Sequence, residues 1–242
     1  MGSRILQLQS LERLLDIMDE LREKCPWDRK QTFETLRYLT IEETYELGDA
    51  ILENNLDEIK KELGDLLLHI FFYSKIGSEK KAFDIADIAN QIADKLIRRH
   101  PHIYGETNVE DLDQVVKNWE DIKLKEGKKS VLEGVPKNLP ALVKAYRIQE
   151  KVSAVGFDWN QKEAVLEKVK EELYELMVEI DSGDSKKMDE EFGDLMFSLV
   201  NYARFLKLNP ENTLERTNKK FIRRFKYIED KAQKSQRKVS EL

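Results

Sequence analysis

An internal repeat limits the folds open to this chain more than any other feature of its sequence. When the sequence is aligned with itself so that Glu42 falls on Glu171, two acidic blocks of the first half match two of the second. The matched pairs are Glu42–Leu47 with Glu171–Leu176, and Glu62–Leu66 with Glu191–Leu195. A basic block, Lys95–Arg99, matches Lys220–Arg224 with an offset four residues shorter, so the first half should have a longer connection around Gly77–Ala82. We therefore expect two copies of one structural unit.

Apolar residues recur at steps of three and four in both halves, which is the period of an amphipathic α-helix. The first such run comprises Leu8, Leu11, Leu14, Leu15, Met18 and Leu21. The other predicted helices are Ile41–Leu52, Ile59–Ile76, Ile85–Ile97, Leu112–Ile122, Leu142–Val155, Val165–Ile180, Met188–Leu206 and Leu214–Ile228. No stretch has the alternating period of a strand, so we predict an all-α fold of two tandem, related helical-bundle halves.

The best boundary between the halves is the segment Glu126–Pro140, which contains Gly127, Gly134 and two prolines. Glycine and proline interrupt helices, and such residues are typical of connections between domains. We therefore predict a first helical domain of residues 1–126 and a second of residues 127–242.

The composition disfavours several classes of partner. With 41 basic and 47 acidic residues the net charge is −6, whereas proteins that bind nucleic-acid polymers usually have a basic excess. No run of about 18 apolar residues is present, so no membrane partner is expected. The lone cysteine, Cys25, fits a reducing compartment, and the segment Met1–Leu21 lacks a signal-peptide core. We expect a cytoplasmic protein.

Each half contains the pattern Glu-Glu-x-x-Glu followed by Glu-x-x-Asp. Residues three apart lie on one face of a helix, so the acidic residues within each block can converge. The spacing between the two blocks is the same in each half, and Asn54-Asn55 or Gly183-Asp184 can form a turn between them. Two antiparallel helices would then bring four carboxylates together: Glu43, Glu46, Glu62 and Asp65 in the first half, and Glu172, Glu175, Glu191 and Asp194 in the second.

Four facing carboxylates repel one another, and a hard divalent cation with oxygen ligands removes that repulsion. We therefore predict a Mg²⁺ site in each half, with Mn²⁺ as a substitute. The alternative is a solvated acidic helix face, which explains most glutamate-rich helices. The in-register duplication, next to apolar runs such as Leu66-Leu67-Leu68, favours the metal.

Two further features of the acidic blocks have competing interpretations. Gly64 and Gly193 each precede the aspartate, although glycine costs a helix about 1 kcal/mol relative to alanine. Close approach by a ligand or by a neighbouring helix would explain both glycines. Thr40 and Glu43 have the spacing of a capping box, but the second half has Val169 at the position of Thr40.

The basic blocks are the third repeated feature. Each places three basic side chains about one helical turn apart: Lys95, Arg98 and Arg99, and then Lys220, Arg223 and Arg224. Arginine forks and a lysine charge suit the oxygens of a triphosphate. The alternative is that these cations only complement the helix dipole. Because the block occurs in both halves, we favour contact with phosphate.

In this order the motifs resemble the MazG family of nucleoside triphosphate pyrophosphohydrolases. The resemblance covers most of the chain. It rests on both acidic blocks and on Cys25–Asp28 with Gln31-Thr32, Arg98–His102, Leu139–Leu142, Val155–Trp159 and Asn218–Phe225.

The resemblance implies hydrolysis of a nucleoside triphosphate to a monophosphate and pyrophosphate by an all-helical homodimer that requires Mg²⁺. It assigns the metal to the second and third glutamates of the first acidic block and to both acids of the second, which are the eight carboxylates named above. It assigns phosphate contacts to Lys220 and Arg224, and by internal analogy to Lys95 and Arg99. Glu42 and Glu171, which are not claimed as ligands, are the candidate catalytic bases.

Other functions are compatible with parts of the pattern. One is a related pyrophosphatase that favours a single nucleotide, such as dUTP or a modified dNTP. Another is a non-enzymatic helical interaction module, although an intact carboxylate set in both halves argues against it. A di-iron carboxylate bundle needs Glu-x-x-His, and no histidine here has a glutamate three residues before it.

Overall fold

The apolar periods form helices throughout the part of the chain that the structure describes. The computed structural model describes residues 3–108 and 130–239 and, between these ranges, 111, 114–115, 118–119, 122 and 126. Every regular element within these residues is helical, which confirms the all-α prediction. A membrane-spanning helix would need about 20 mostly apolar residues, and no helix of the described part has that combination.

The chain divides into two compact units, Met1–Gly105 and Glu106–Leu242. Each unit contains two acidic blocks and one basic block, in agreement with the repeat. The predicted boundary between residues 126 and 127 stays a prediction, because much of the segment from 109 to 129 lies outside the described residues. Most of the predicted helix Leu112–Ile122 also lies outside them.

The first unit consists of helices around a small apolar core. They are α1 (Arg4–Lys24), α2 (Phe33–Leu52), α3 (Leu56–Glu79), α4 (Ile85–Arg99) and the short α5 (Pro101–Tyr104). Met18, Leu36, Phe72 and Ile76 are buried together where α1, α2 and α3 meet. This packing holds α2 and α3 side by side.

The second unit contains four long helices in its described part. They are α6 (Ala141–Ser153), α7 (Lys162–Ser182), α8 (Ser185–Phe205) and α9 (Pro210–Lys234). Helices α7 and α8 pack along each other, and α6 packs against α8. Val165, Leu176 and Val200 supply buried apolar side chains to this unit.

The predicted turns between the acidic helices are present in both units. Asn54 has a left-handed φ of 54°, and the side chain of Asn55 caps α3 by accepting from the Glu58 amide at 3.3 Å. In the second unit Gly183 has a φ of 74°, a region that glycine enters without steric cost. Asp184 then caps α8 by accepting from the Lys186 amide at 3.1 Å. These turns set the register of the two acidic blocks.

The repeat continues into the helix boundaries. In the alignment that places Glu42 on Glu171, α2 and α7 begin at equivalent positions, and so do α3 and α8. Helix α3 has 24 residues and α8 has 21, and the connection that follows is one residue longer in the first unit. The predicted four-residue difference is therefore present, but three of the four residues lengthen the helix.

Helix α2 begins well before the predicted start at Ile41. Thr32 is the N-cap, because its Oγ1 accepts from the Thr35 amide at 3.2 Å and the Thr35 Oγ1 accepts from the Thr32 amide at 2.8 Å. Thr40 lies inside the helix and donates to the Leu36 carbonyl at 3.1 Å. The capping-box interpretation of Thr40 and Glu43 is wrong, so the side chain of Glu43 is available for another role.

Candidate functional site

Helices α2 and α3 bring three of the predicted metal ligands of the first unit together. Glu43 and Glu46 of α2 and Glu62 of α3 each offer a carboxylate oxygen, and these oxygens lie within 4.8 Å of one another. We call these residues the first carboxylate group. Glu62 is only 3% exposed, and its Oε2 is buried with no hydrogen-bond partner among the described residues. A buried carboxylate oxygen without a partner is unfavourable until a cation or donor binds it.

The charges of the first carboxylate group are unequally compensated. Burial raises the pKa of Glu43, and the negative charges of Asp65 and Glu46 raise it further. The Lys61 ammonium donates to Glu62 Oε1 at 2.9 Å and lowers the pKa of Glu62. The group therefore contains one carboxyl that resists ionisation beside one that is held ionised.

Helices α7 and α8 form the equivalent arrangement in the second unit. Oxygens of Glu172, Glu175 and Glu191 lie within 4.8 Å of one another, and these residues are the second carboxylate group. Glu172 is 7% exposed and accepts from the Lys168 ammonium at 2.8 Å. Burial raises the pKa of Glu191, with further contributions from Glu175 and Asp194. The same chemistry is thus built twice from the same spacing.

Asp65 and Asp194, the fourth predicted ligand of each unit, are not members of these two groups. Each is nevertheless near its group, because the charge of Asp65 raises the pKa of Glu43 and that of Asp194 raises the pKa of Glu191. The structure therefore brings together three of the four predicted ligands in each unit. The assignment of all eight as metal ligands stays a prediction.

Both carboxylate groups fit a hard divalent cation. Their atoms are oxygens, each group contains three carboxylates, and Glu62 Oε2 in the first is buried and without a partner in the described chain. Mg²⁺ binds through one or more carboxylates while keeping coordination sites for water and substrate phosphate. The residues present therefore suit the metal that the sequence predicts.

The two candidate bases are exposed and precede a member of each group. Glu42 precedes Glu43 on α2, and Glu171 precedes Glu172 on α7. Glu171 accepts from the Lys168 ammonium at 2.9 Å, so one lysine contacts both Glu171 and Glu172. The base role of both glutamates stays a prediction.

The basic blocks lie at helix positions that differ between the units. Lys95 and Arg98 are exposed and Arg99 is half-buried near the end of α4, whereas the second block lies in the middle of α9. The three members of the second block, Lys220, Arg223 and Arg224, are exposed. A position in the middle of α9 does not suit the helix-dipole interpretation, because that effect is confined to the last turn. Phosphate contact stays a prediction for all six.

The second unit contains a cavity of about 570 Å³ beside its carboxylate group. Glu172 and Asp194 are part of its wall, together with Lys168. The rest of the wall is mainly apolar and aromatic, and it includes Val152, Phe157, Trp159, Val165 and Phe197. A cavity of this size, with an apolar wall and a few polar groups, is typical of a small-molecule site.

An ion pair fixes the loop that forms one side of this cavity. Arg204 of α8 donates to both oxygens of Asp158, at 2.5 and 2.8 Å, and Ser153 donates to Asp158 at 2.6 Å. Burial alone would raise the pKa of Asp158, but these hydrogen bonds hold it below its ordinary value. The neighbouring Trp159 is thereby kept beside the cavity.

Sequence reasoning identified the carboxylates but missed Lys61, Lys168 and the cavity. The sequence did contain a signal for the cavity. The Phe-Asp-Trp segment at Phe157–Trp159, which is part of the cavity wall, precedes the second acidic block as Pro-Trp-Asp precedes the first. The lysines gave no signal, since lysine is common on charged helices and the two do not match under the repeat.

Gly64 and Gly193 are not explained by packing within the described chain. A Cβ built on either glycine would meet no described atom within 4 Å. Of the two interpretations given above, approach by a neighbouring helix of the same chain is therefore excluded for the described residues. Both glycines lie next to a predicted metal ligand, and approach by a ligand stays a prediction.

Comparison with known proteins agrees with the repeat and with the acidic helices. A model of the MazG nucleotide pyrophosphohydrolase domain matches the chain twice, at residues 31–104 and 160–228. The first match lies within the unit Met1–Gly105 and the second within the unit Glu106–Leu242. Each match contains one carboxylate group.

Curated relatives are similar along nearly their whole length. The nucleoside triphosphate pyrophosphohydrolase of Escherichia coli K12 is 43% identical over 231 residues, which cover 92% of this chain and 88% of that protein. The Thermotoga maritima protein named nucleoside triphosphate pyrophosphohydrolase/pyrophosphatase MazG is 47% identical over 236 residues, covering 96% of this chain and 90% of that protein. With its domain model matched in both units and with relatives this similar, the chain belongs to the MazG nucleotide pyrophosphohydrolase family.

Proposed function

We propose that this chain hydrolyses nucleoside and deoxynucleoside triphosphates to the nucleoside monophosphate and pyrophosphate, with Mg²⁺ as the required metal. The observation that carries the proposal is the pair of carboxylate groups, one of which has a buried oxygen without a partner in the described chain. The cavity beside the second group offers space for the nucleoside. The relatives described above are named for the same activity, which supports the proposal.

The eight predicted ligands would hold Mg²⁺, four in each unit. When bound, the metal would supply positive charge that offsets the phosphate oxygens and favours ionisation of the attacking water. The carboxylate groups themselves position that charge, because α2 with α3, and α7 with α8, fix where their oxygens lie. Packing of these helices therefore sets the geometry of the proposed reaction.

The remaining site residues have separate roles in the proposed reaction. Lys95, Arg98 and Arg99, and likewise Lys220, Arg223 and Arg224, would bind phosphate oxygens through charge-assisted hydrogen bonds. Glu42 or Glu171 would accept a proton from the attacking water. The water oxygen forms a bond to the α-phosphorus, the bond from that phosphorus to the α–β bridging oxygen breaks, and pyrophosphate leaves.

The proposed active form is a homodimer. Large apolar side chains are exposed on α1 (Ile5, Leu6 and Leu8) and on α9 (Phe221 and Ile222). Exposed apolar side chains of this size can be covered by association, and a second copy of the chain is the simplest partner. Sedimentation equilibrium should give about twice the mass of one chain. Phe221→Lys should lower that mass, whereas Lys226→Ala on the same helix should not.

The identity of the products tests the proposed reaction directly. With Mg²⁺ and each common NTP and dNTP, monophosphate and pyrophosphate should form in equal amounts, with no diphosphate at early times. In ¹⁸O-labelled water the label should enter the monophosphate, because water attacks the α-phosphorus. Initial release of diphosphate and orthophosphate would mean that a different bond is broken and would refute the proposal.

A ligand substitution tests the link between the carboxylates and this activity. Glu172→Gln keeps the size of the side chain but removes its charge. Turnover at the second site should fall at least about 100-fold, because substituting a residue that only supports a metal ligand already lowers metal affinity or activity 10- to 100-fold. The variant is best made in a Glu43→Gln, Glu46→Gln background that disables the first site. Glu163→Gln, an exposed change on the same helix, is the control. Undiminished turnover would rule out the metal assignment.

A further inference from the structure

Gln149 of α6 is a buried amide whose hydrogen bonding is incomplete. It is 4% exposed, and its Nε2 donates to the backbone carbonyl of Phe197 at 2.8 Å. Its Oε1 is buried and has no hydrogen-bond partner among the described residues. Because the Phe197 carbonyl can only accept, the amide orientation is fixed and the free atom must be the acceptor.

Gln149, the residue that carries this buried acceptor, is part of the wall of the cavity beside the second carboxylate group. Aromatic side chains of Phe157, Trp159 and Phe197 are also part of that wall, and Glu172 and Asp194 connect it to the acidic side. A ligand that fits all of these features has a flat apolar ring, an N–H donor on its edge, and a phosphate chain that reaches a cation at the carboxylates. A nucleoside triphosphate has this arrangement.

We propose that Gln149 is a specificity-determining residue, which accepts a hydrogen bond from an N–H group of the substrate's base in this cavity. The inference rests on the proposed function and adds to it the position of the base and the group that recognises it. A buried acceptor left without a donor is costly, so a base that offers no N–H should be bound less well. Sites built around such a polar group reject analogues that lack the matching one.

The test compares nucleotides that differ only in their edge donors. The pairs are ATP with N6,N6-dimethyl-ATP, and UTP with 3-methyl-UTP, measured as kcat/KM. Both the protein with wild-type Gln149 and Gln149→Met carry Glu43→Gln and Glu46→Gln, which disable the first site, and the former is the wild type of this test. Methionine keeps the volume of glutamine but has no comparable acceptor. In the wild type the methylated member of at least one pair should be about 5- to 100-fold poorer, the range of one buried hydrogen bond. In Gln149→Met that ratio should fall several-fold, because only the steric effect of the methyl groups remains.

Two controls separate recognition of the base from a loss of folding. Gln233→Met changes an exposed glutamine on α9 and should leave every ratio unchanged. Inhibition by inorganic tripolyphosphate, which has no base, should be the same for the wild type and Gln149→Met. Gln149→Met could instead raise the inhibition constant of tripolyphosphate by the same factor by which it lowers kcat/KM for ATP. That result would mean that Gln149 supports the phosphate site or the fold, and it would overturn the inference.

Equal discrimination by the wild type and Gln149→Met would also overturn the inference, since an ordered water could then be the partner of Oε1. Failure of the proposed function gives a different result, namely no pyrophosphate from any unmethylated nucleotide. In that case the same four nucleotides are compared by calorimetric affinity in the presence of Mg²⁺. If Gln149→Met lowers the ratio of the affinities for the unmethylated and methylated nucleotides, the cavity binds a base. If the ratio is unchanged, it does not.

Discussion

Glu43 and Glu62 lie in one carboxylate group but have opposite electrostatic environments. The pKa of Glu43 is raised, first by burial and then by Asp65 and Glu46, whereas the hydrogen bond from Lys61 lowers the pKa of Glu62. Glu62 therefore keeps its charge at a pH where Glu43 has begun to bind a proton. Glu191 has a raised pKa in the second group, again chiefly because of burial. In the proposed function, protons and Mg²⁺ would therefore compete for one defined carboxyl in each unit.

This competition predicts how Mg²⁺ binding depends on pH. A ligand must be ionised to bind the metal, so the affinity should fall as the pH is lowered through the raised pKa values of Glu43 and Glu191. Each proton that Mg²⁺ must displace lowers the Mg²⁺ affinity about tenfold for every pH unit below the pKa of the carboxyl that holds it. Calorimetric Mg²⁺ titrations between pH 4 and 8 would measure the slope. An affinity that is constant over this range would contradict the prediction.

The raised pKa values of Glu43 and Glu191 have the opposite effect on the stability of the metal-free fold, which should fall as the pH rises. A carboxyl whose pKa is higher in the folded chain stabilises the fold when protonated, below the unfolded value of 4.5, and this contribution is lost as the pH rises through the folded pKa. Glu43 and Glu191 therefore disfavour the metal-free fold near neutral pH. Adding Mg²⁺ should raise the melting temperature more at pH 8 than at pH 5.

Helix α3 contains two glycines in contrasting surroundings. A Cβ at Gly64 would meet no described atom within 4 Å, whereas a Cβ at Gly77 would lie 2.6 Å from the ring of Phe83. Gly64→Ala should raise the free energy of unfolding by about 0.5–1 kcal/mol, because alanine favours a helix more than glycine does. Gly77→Ala should lower it by about 1–3 kcal/mol through overpacking.

The two glycine variants are controls for each other, since the substitution and the helix are the same. Chemical denaturation without Mg²⁺ measures both. Loss of stability in Gly64→Ala would show that something outside the described residues, such as a second chain, packs at that glycine. Gain of stability in Gly77→Ala would mean that Phe83 moves aside at little cost.

The elements that the sequence predicts well are those whose signals are local. The turns at Asn54 and Gly183, and the register of Glu62 after Glu46, depend on neighbours along the chain. The predicted start of α2 was too late, because the cap formed by Thr32 and Thr35 was not recognised, although Phe33, Leu36 and Leu39 continue the helical period before Ile41. The fixed amide orientation of Gln149 could not be predicted, since it depends on the carbonyl of Phe197, which lies far along the chain on another helix.

At the scale of the whole molecule, the tandem units predict where the chain is most easily cut. Each unit has its own buried residues, and the expected connection, Glu126–Pro140, is rich in glycine and proline. Limited proteolysis of the full chain should therefore cut first in this segment, because proteases prefer exposed connections. Mass spectrometry of the first fragments would locate the cut. Early cleavage scattered through both units would contradict the predicted boundary.

The lysines beside the two carboxylate groups come from different helices. Lys61 lies on α3 next to Glu62, whereas Lys168 lies on α7 one turn before Glu172. The position that matches Lys168 holds Leu39, which packs against the core of the first unit, and the position that matches Lys61 holds Glu190. An incoming cation would meet a different internal counter-ion in each unit, so we expect the two sites to fill at different metal concentrations. A chain of this kind can respond to a changing metal supply in two stages.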